Sequence, residues 1–215
     1  MYVTEIRKLD SKKYLVLSDG TPAFALYKSE LGKYKVEAGQ EIEEEDYAAL
    51  YAVLKKRCRE RAGYILGKSD KTEQDLRNKL KQGYYPEEII ESVIDDFKSY
   101  GYLNDKRYAE NYVKYNSMSK SRKRIYNELA YKGVKKEYID SAFDKFCEEE
   151  QSEYESAQSS LILKEFNRKR YDFINEDQAL RNKIIASLLR KGFLYDEIME
   201  VYYDRRNEMM HSSQI

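Results

Sequence analysis

The sequence has few of the residues that catalytic and metal-binding sites use most often. Its 215 residues include two cysteines, Cys58 and Cys147, and one histidine, His211. The cysteines lie far apart, without the paired spacing of a zinc or redox motif, so we expect each to be a small buried apolar residue in a reducing compartment. No phosphate-binding loop, nucleophile elbow or HExxH motif occurs. We therefore expect no enzymatic activity, no catalytic residue, no cofactor and no metal site.

Long apolar runs are also missing. No stretch approaches the ~18 to 20 apolar residues that a membrane helix requires, and charges interrupt the first twenty residues, where a signal peptide needs an apolar core. The sequence predicts a cytoplasmic monomer that does not bind membranes. Charged residues make up 36 % of the chain, yet 22 tyrosines and 7 phenylalanines argue against disorder. An elongated helical protein with much surface per residue explains both properties.

Apolar residues recur at matching positions in three segments of the chain. When Leu80, Leu129 and Leu188 are placed in register, apolar residues also coincide four positions before them and five, ten and fourteen positions after them. Self-similarity at this period is typical of stacked helical units that cannot bury their apolar faces alone. The sequence predicts a mainly α fold of three tandem three-helix repeats in an elongated curved rod, preceded by a small N-terminal antiparallel β segment.

The predicted segments follow from changes in period and from turn signals. The β segment has three strand-like runs, with the hairpin signal Asp19-Gly20 before the last. Helix caps and helical periodicity divide the remaining chain into helices. Thr72 and Asn175 are expected to cap two of them, and the tail is expected to fray from His211. The predicted boundaries are 1–42 for the β segment, 43–100 for repeat 1, 101–149 for repeat 2 and 150–215 for repeat 3. Helices are expected near 43–66, from Thr72 onwards, and near 86–100, 104–118, 121–132, 135–149, 151–170, 176–190 and 194–209.

A short corner between two predicted helices lies near the middle of the chain. Gly101 suits the left-handed position that ends a helix, because it has no Cβ. Asn104 offers a side-chain oxygen to the free amides of the next helix, and Asp105 lies in its first turn. With the apolar residue Leu103 between them, these residues are expected to hold a structural corner.

Three groups of residues together resemble the RecX family of recombinase regulators. They are the run Thr72-Glu73-Gln74-Asp75-Leu76-Arg77-Asn78-Lys79-Leu80, the corner Gly101-Tyr102-Leu103-Asn104-Asp105 with Arg107-Tyr108-Ala109, and Arg124-Ile125 followed by Glu128-Leu129 and Lys132-Gly133-Val134. The resemblance covers roughly residues 45 to 207. It implies that the protein binds the recombinase RecA or its filament on single-stranded DNA. It also implies inhibition of the ATPase, recombination and strand-exchange activities of RecA, in the control of DNA repair and the SOS response.

Basic residues cluster where the predicted helices begin and end. Residues 47–134 contain 19 Lys and Arg against 12 Asp and Glu, although the whole chain has a net charge of zero. Positive charge at a helix start opposes the helix dipole, so local stability does not explain it. We expect a partner-binding surface, with a solvated charged face as the structural alternative. The candidate residues are Lys106, Arg107, Arg122, Lys123, Arg124 and Lys132. A weaker cluster is Arg168-Lys169-Arg170.

Direct nucleic-acid binding is the alternative function. The basic helices could neutralise phosphates, and exposed aromatic side chains could stack on unpaired bases. Tyr115 and Tyr131 are the tyrosines most expected to be exposed, because the others fall on or beside the repeat positions. Weak direct contact with DNA is also compatible with a RecA regulator.

Overall fold

The structure is a computed structural model that describes residues 1–212, apart from the side chain of residue 151. The chain divides into two compact units, residues 1–105 and residues 106–215. Elements are numbered in chain order. The strands are β1 (Glu5–Lys8), β2 (Lys13–Ser18) and β3 (Thr21–Tyr27), and the helices are α1 (Lys28–Lys33), α2 (Glu44–Lys68), α3 (Glu73–Lys81), α4 (Glu87–Ser99), α5 (Asp105–Asn116), α6 (Arg122–Tyr131), α7 (Lys136–Arg168), α8 (Gln178–Lys191) and α9 (Tyr195–Ser212). The mainly α fold with a small N-terminal antiparallel sheet is confirmed.

The N-terminal sheet is antiparallel, with strand order β1-β2-β3. Asp19 and Gly20 both have positive φ, 48° and 72°, as a tight hairpin turn between β2 and β3 requires. Leu15, Val16 and Leu17 are all buried, so β2 is covered on both faces. Side chains of the sheet and of α2 to α4 belong to one apolar core. Helix α1 lies within the segment for which we predicted strands alone.

The second unit contains two clusters of buried apolar side chains. One joins α5 and α6 to the first half of α7, and the other joins the second half of α7 to α8 and α9. We predicted two helices, 135–149 and 151–170, and α7 (Lys136–Arg168) is interrupted between them. Its backbone is non-helical only at Glu150, where φ is −137° and ψ is 33°. The kink at Glu150 therefore coincides with the predicted boundary between the two helices.

The three aligned leucines are fully buried, as are the apolar residues at most of the matching positions. The residue four positions after each leucine has positive φ in all three copies: 54° at Tyr84, 80° at Gly133 and 91° at Gly192. The first copy thus holds a tyrosine in a conformation that favours glycine. The neighbouring Gly83 also has a reason to lack a side chain, because a Cβ there would lie 2.7 Å from the Tyr85 ring.

The corner after α4 has the backbone that the sequence predicts. Gly101 has a φ of 73°, and the amides of Tyr102 and Leu103 both donate to the Phe97 carbonyl, at 3.0 and 3.1 Å. Asp105 is the first residue of α5, and its Oδ1 also accepts a hydrogen bond from the Glu73 amide at the start of α3, at 2.8 Å. Burial raises the pKa of this carboxyl, although the Glu73 amide opposes the shift.

One prediction near the C-terminus is wrong, and a second falls mostly outside the described residues. Asn175 does not cap α8, because its amide and side chain are bound by the Asp172 carboxylate. Asp177 caps the helix instead and accepts from the Leu180 amide at 2.9 Å. The tail predicted to fray from His211 is helical to Ser212, and its last three residues lie outside the part of the chain that is described. In residues 1–212, no helix has the length and apolar character to cross a membrane.

Candidate partner-binding surface

Helix α6 begins with three consecutive cations and has no acidic residue in its first turn. Ser121 is its cap, and the Ser121 hydroxyl accepts from the Arg124 amide at 3.4 Å. Arg122, Lys123 and Arg124 are exposed. Because the start of a helix is already electropositive, this arrangement costs local stability and favours the binding of negative charge.

The three side chains differ in how they are held. The Arg122 guanidinium lies 4.7 Å from the centre of the buried Phe143 ring. Arg124 Nε donates to Glu128 Oε1 at 3.0 Å. Lys123 has no carboxylate partner within residues 1–212. The charge of Lys123 is therefore the least compensated of the three.

The end of α8 packs directly against the start of α6. The Ser121 hydroxyl donates to the Lys191 carbonyl at 2.6 Å. A Cβ at Gly192 would lie only 2.9 Å from Lys123 Cβ, and the φ of Gly192 is 91°. Glycine is needed here for both the left-handed backbone and the close approach. This contact brings Arg190 and Lys191 beside the cations of α6.

Two adjoining grooves share Arg124 and Lys191 in their walls. The first, of about 480 Å³, is lined by residues of α6 and the end of α8, and the second, of about 290 Å³, extends along α7. Seven basic side chains and two carboxylates line them. We name this region the cationic surface; its basic residues are Lys120, Lys123, Arg124, Lys164, Arg168, Arg190 and Lys191, and its carboxylates are Glu128 and Glu165.

Both carboxylates of the cationic surface are held by cations. Burial tends to raise the pKa of Glu128, but hydrogen bonds from Lys120, Tyr112 and Arg124 outweigh it and lower that pKa to about 2. Burial likewise opposes ionisation of Glu165, whose pKa is nevertheless lowered by ion pairs with Lys191 and Arg168. Lys123, Lys164 and Arg190 have no such carboxylate partner in the described part of the chain. The surface therefore keeps a strong excess of positive charge.

The other predicted residues lie outside the grooves. Lys106 and Arg107 are exposed in the first turn of α5. Lys132 follows α6 and is half-buried, with its Nζ 5.9 Å from the centre of the Tyr108 ring. Of the candidate set, Lys123 and Arg124 belong to the cationic surface, and Arg122 lies beside them at the start of α6 but lines neither groove. The other three form a second basic region near the start of α5.

Sequence reasoning missed Lys164, Arg190 and Lys191, and underrated Arg168. One signal was present, because Lys191-Gly192 repeats the Lys132-Gly133 pair at the same position of the next copy. The predicted exposure of Tyr115 and Tyr131 is confirmed, at 79 and 93 %, and Tyr131 lines the first groove. Among residues 1–212, no three His, Cys, Asp or Glu side chains are grouped so that they could hold a metal ion.

Comparisons with known proteins agree on one family. The family model for the first three-helix domain of RecX matches residues 58–97, and the model for the second matches residues 104–142. Regulatory protein RecX of Clostridium botulinum (strain Eklund 17B / Type B) is 30% identical over 94% of each chain, and that of Clostridium acetobutylicum is 33% identical over 74% of this chain and 70% of its own. A crystal structure of regulatory protein RecX has a TM-score of 0.61 at 27% identity, covering 93% of this chain and 98% of its own. The chain belongs to the RecX family of regulatory proteins.

Proposed function

We propose that this protein is a non-enzymatic regulator that binds RecA, or the RecA filament on single-stranded DNA, and inhibits RecA. The affected activities are the ATPase, recombination and strand exchange, so the protein limits DNA repair and the SOS response. Membership of the RecX family supports this function in general terms. The observation that supports the site is the cationic surface, because its seven basic side chains outnumber its two carboxylates and Lys123, Lys164 and Arg190 have no carboxylate partner among the described residues.

An acidic face of the partner is the ligand that this surface suits best. Arg124 and Lys191 already make ion pairs with carboxylates of the same chain, which demonstrates the geometry in which these side chains bind such groups. Complementary charge accelerates association and fixes orientation more than it adds affinity. We therefore propose Lys123, Arg124 and Arg122 as central contacts, with Lys106, Arg107 and Lys132 as a second contact region.

The ATPase of RecA on single-stranded DNA tests this function. The protein is titrated at ~50 and ~200 mM salt, and its binding to the same DNA without RecA is measured in parallel. We expect inhibition at amounts well below one molecule per RecA, persisting at the higher salt where binding to DNA alone is lost. If the ATPase rate is unchanged over the whole titration, the proposed function is wrong.

Direct nucleic-acid binding is the second candidate, favoured by one observation. Tyr131 is almost fully exposed at the wall of a groove that Lys123, Arg124 and Arg190 also line, and base stacking beside cations is typical of single-strand binding. In the same titration, this alternative requires inhibition only when the DNA is saturated. That inhibition must fade with salt in parallel with DNA binding.

A further inference from the structure

A second basic pocket lies in the first unit and contains none of the residues that we assign to RecA binding. It has a volume of about 650 Å³ and lies between the ends of β2 and β3, helix α2 and the turn after α3. The residues that matter for its chemistry are Lys13, Tyr27, Arg57, Arg61, Lys79 and Tyr85. Its volume falls within the range of small-molecule sites, roughly 300 to 1,000 Å³.

The charge of this pocket is predominantly positive. Four cations and one carboxylate, Glu60, line it. Arg57 is bound by the Glu30 carboxylate, which also accepts from the Tyr27 amide at 2.8 Å. The three other cations, on β2, α2 and α3, have no carboxylate partner within the described residues. Positive charge from three different elements therefore lines one pocket, and Glu60 is the only carboxylate among its described lining residues.

Two tyrosine side chains form part of the pocket wall. The Arg57 guanidinium lies 4.7 Å and Lys13 Nζ lies 5.6 Å from the centre of the Tyr27 ring, so this ring positions two of the cations. The Tyr85 ring lies against Gly83, where a Cβ would approach Tyr85 Cε2 to 2.7 Å. Burial raises the pKa of the Tyr85 phenol, which keeps it protonated and able to donate a hydrogen bond.

We infer that this pocket binds the phosphate of a nucleotide. Arginine and lysine are the side chains that bind phosphate oxygens, and three unpaired cations suit a group with more than one negative oxygen. The pocket has room beyond the phosphate, and its tyrosine rings suit a sugar or base. The nucleotide comes either from a free nucleoside phosphate or from a single strand. This inference does not depend on RecA binding.

Titration calorimetry on the full chain tests the inference. The salt concentration is ~50 mM, because phosphate contacts are strongest at low salt. The probes are inorganic phosphate, ATP and an oligothymidylate of about ten nucleotides. The pocket variant is Arg61→Glu with Lys79→Glu, since both side chains are exposed and without a carboxylate partner. The matched control is Lys8→Glu with Lys56→Glu, which makes the same charge change on exposed residues outside the pocket.

We expect ATP or the oligonucleotide to bind more tightly than inorganic phosphate. The pocket variant should weaken that binding at least about tenfold, as the loss of charge-assisted contacts requires, while the control binds like the original protein. Preference for ATP identifies a free nucleotide as the ligand, and preference for the oligonucleotide identifies a strand. Circular dichroism checks that each variant is folded. If the pocket variant does not fold, the milder variant Arg61→Gln with Lys79→Gln is used in its place.

Two results would overturn the inference. One is the absence of binding for all three probes at millimolar concentration. The other is an equal loss in the pocket variant and the control, which would show that only the overall charge matters. Because RecA is absent from the experiment, neither result bears on the proposed function.

Discussion

Helices α3 and α6 occupy the same position in successive repeats, yet their first turns carry opposite charge. Both begin with a buried hydroxyl cap, Thr72 for α3 and Ser121 for α6, which accepts from the amide three residues later. The first turn of α3 contains Glu73 and Asp75, whereas that of α6 contains only cations among its charged residues. Since acidic residues stabilise a helix start and basic ones destabilise it, only α3 follows the rule for local stability.

The charges of α3 are used inside its own unit. Glu73 accepts from Arg77 Nη2 at 2.8 Å and lies 2.9 Å from Lys98 Nζ. Arg77 also binds Glu91 at 2.7 Å. These ion pairs connect α3 to α4, so their role in folding is sufficient to explain them. The cations of α6 are exposed, and no ion pair among the described residues of the unit accounts for Lys123, as the proposed binding role requires.

The largest effect on stability is expected where the end of α8 meets α6. Gly192→Ala should lower the free energy of unfolding by about 3 kcal/mol, because an alanine there combines a left-handed backbone with a Cβ contact of 2.9 Å. Gly101→Ala is the matched control. It has a similar φ of 73° but open space around the new Cβ, so we expect a loss of about 1 kcal/mol. Urea denaturation measures both, and equal losses would contradict the close packing of α8 on α6.

A smaller effect is expected from exchanging charge between the two helix starts. Glu73→Lys should cost about 2 kcal/mol, because Arg77 and Lys98 lose their common partner and face a third cation. The reciprocal change Lys123→Glu should alter stability by less than about 0.5 kcal/mol, since it breaks no ion pair. Thermal melting compares the two variants. Similar destabilisation by both would mean that Lys123 has a structural role.

The smallest predicted effect is the contribution of Glu128 to stability, which depends on pH. The pKa of Glu128 is lowered to about 2 in the folded protein, from an ordinary value of 4.5. Its ion pairs therefore stabilise the fold above about pH 4.5, and this contribution disappears as pH falls towards 2. Glu128→Gln should be less stable than the original protein by about 1 kcal/mol at pH 7, and the difference should shrink between pH 4.5 and 2.5. A difference that stays constant with pH would show that Glu128 acts only through packing.

The repeat and its core could be predicted from the sequence because helical periodicity determines which side chains are buried. Leu80, Leu129 and Leu188 each lie on the apolar face of a helix that packs against its neighbours in the same repeat. Local chemistry also predicted the corner at Gly101. It failed at Asn175, because a second acceptor two residues later, Asp177, competes for the free amides of α8.

The candidate site could be predicted only in part. Arg122, Lys123 and Arg124 are adjacent in sequence, so their common position at a helix start is a local property. The approach of Arg190 and Lys191 depends on a hydrogen bond between residues 70 positions apart, from Ser121 to the Lys191 carbonyl. No periodic pattern encodes that contact, and side-chain packing of the second unit decides it.

The most direct test of the account replaces Arg122, Lys123 and Arg124 together by Glu and measures inhibition of the RecA ATPase. The control replaces Lys8, Lys28 and Lys56, which are exposed cations of the first unit, with the same change in charge. The α6 variant should need at least about tenfold more protein for half-inhibition. Its melting temperature should fall only slightly, because acidic residues suit the helix start and partly offset the lost Arg122–Phe143 contact and Arg124–Glu128 ion pair. The control should inhibit normally. A folded α6 variant that inhibits as well as the original protein would contradict the assignment of this surface to the partner.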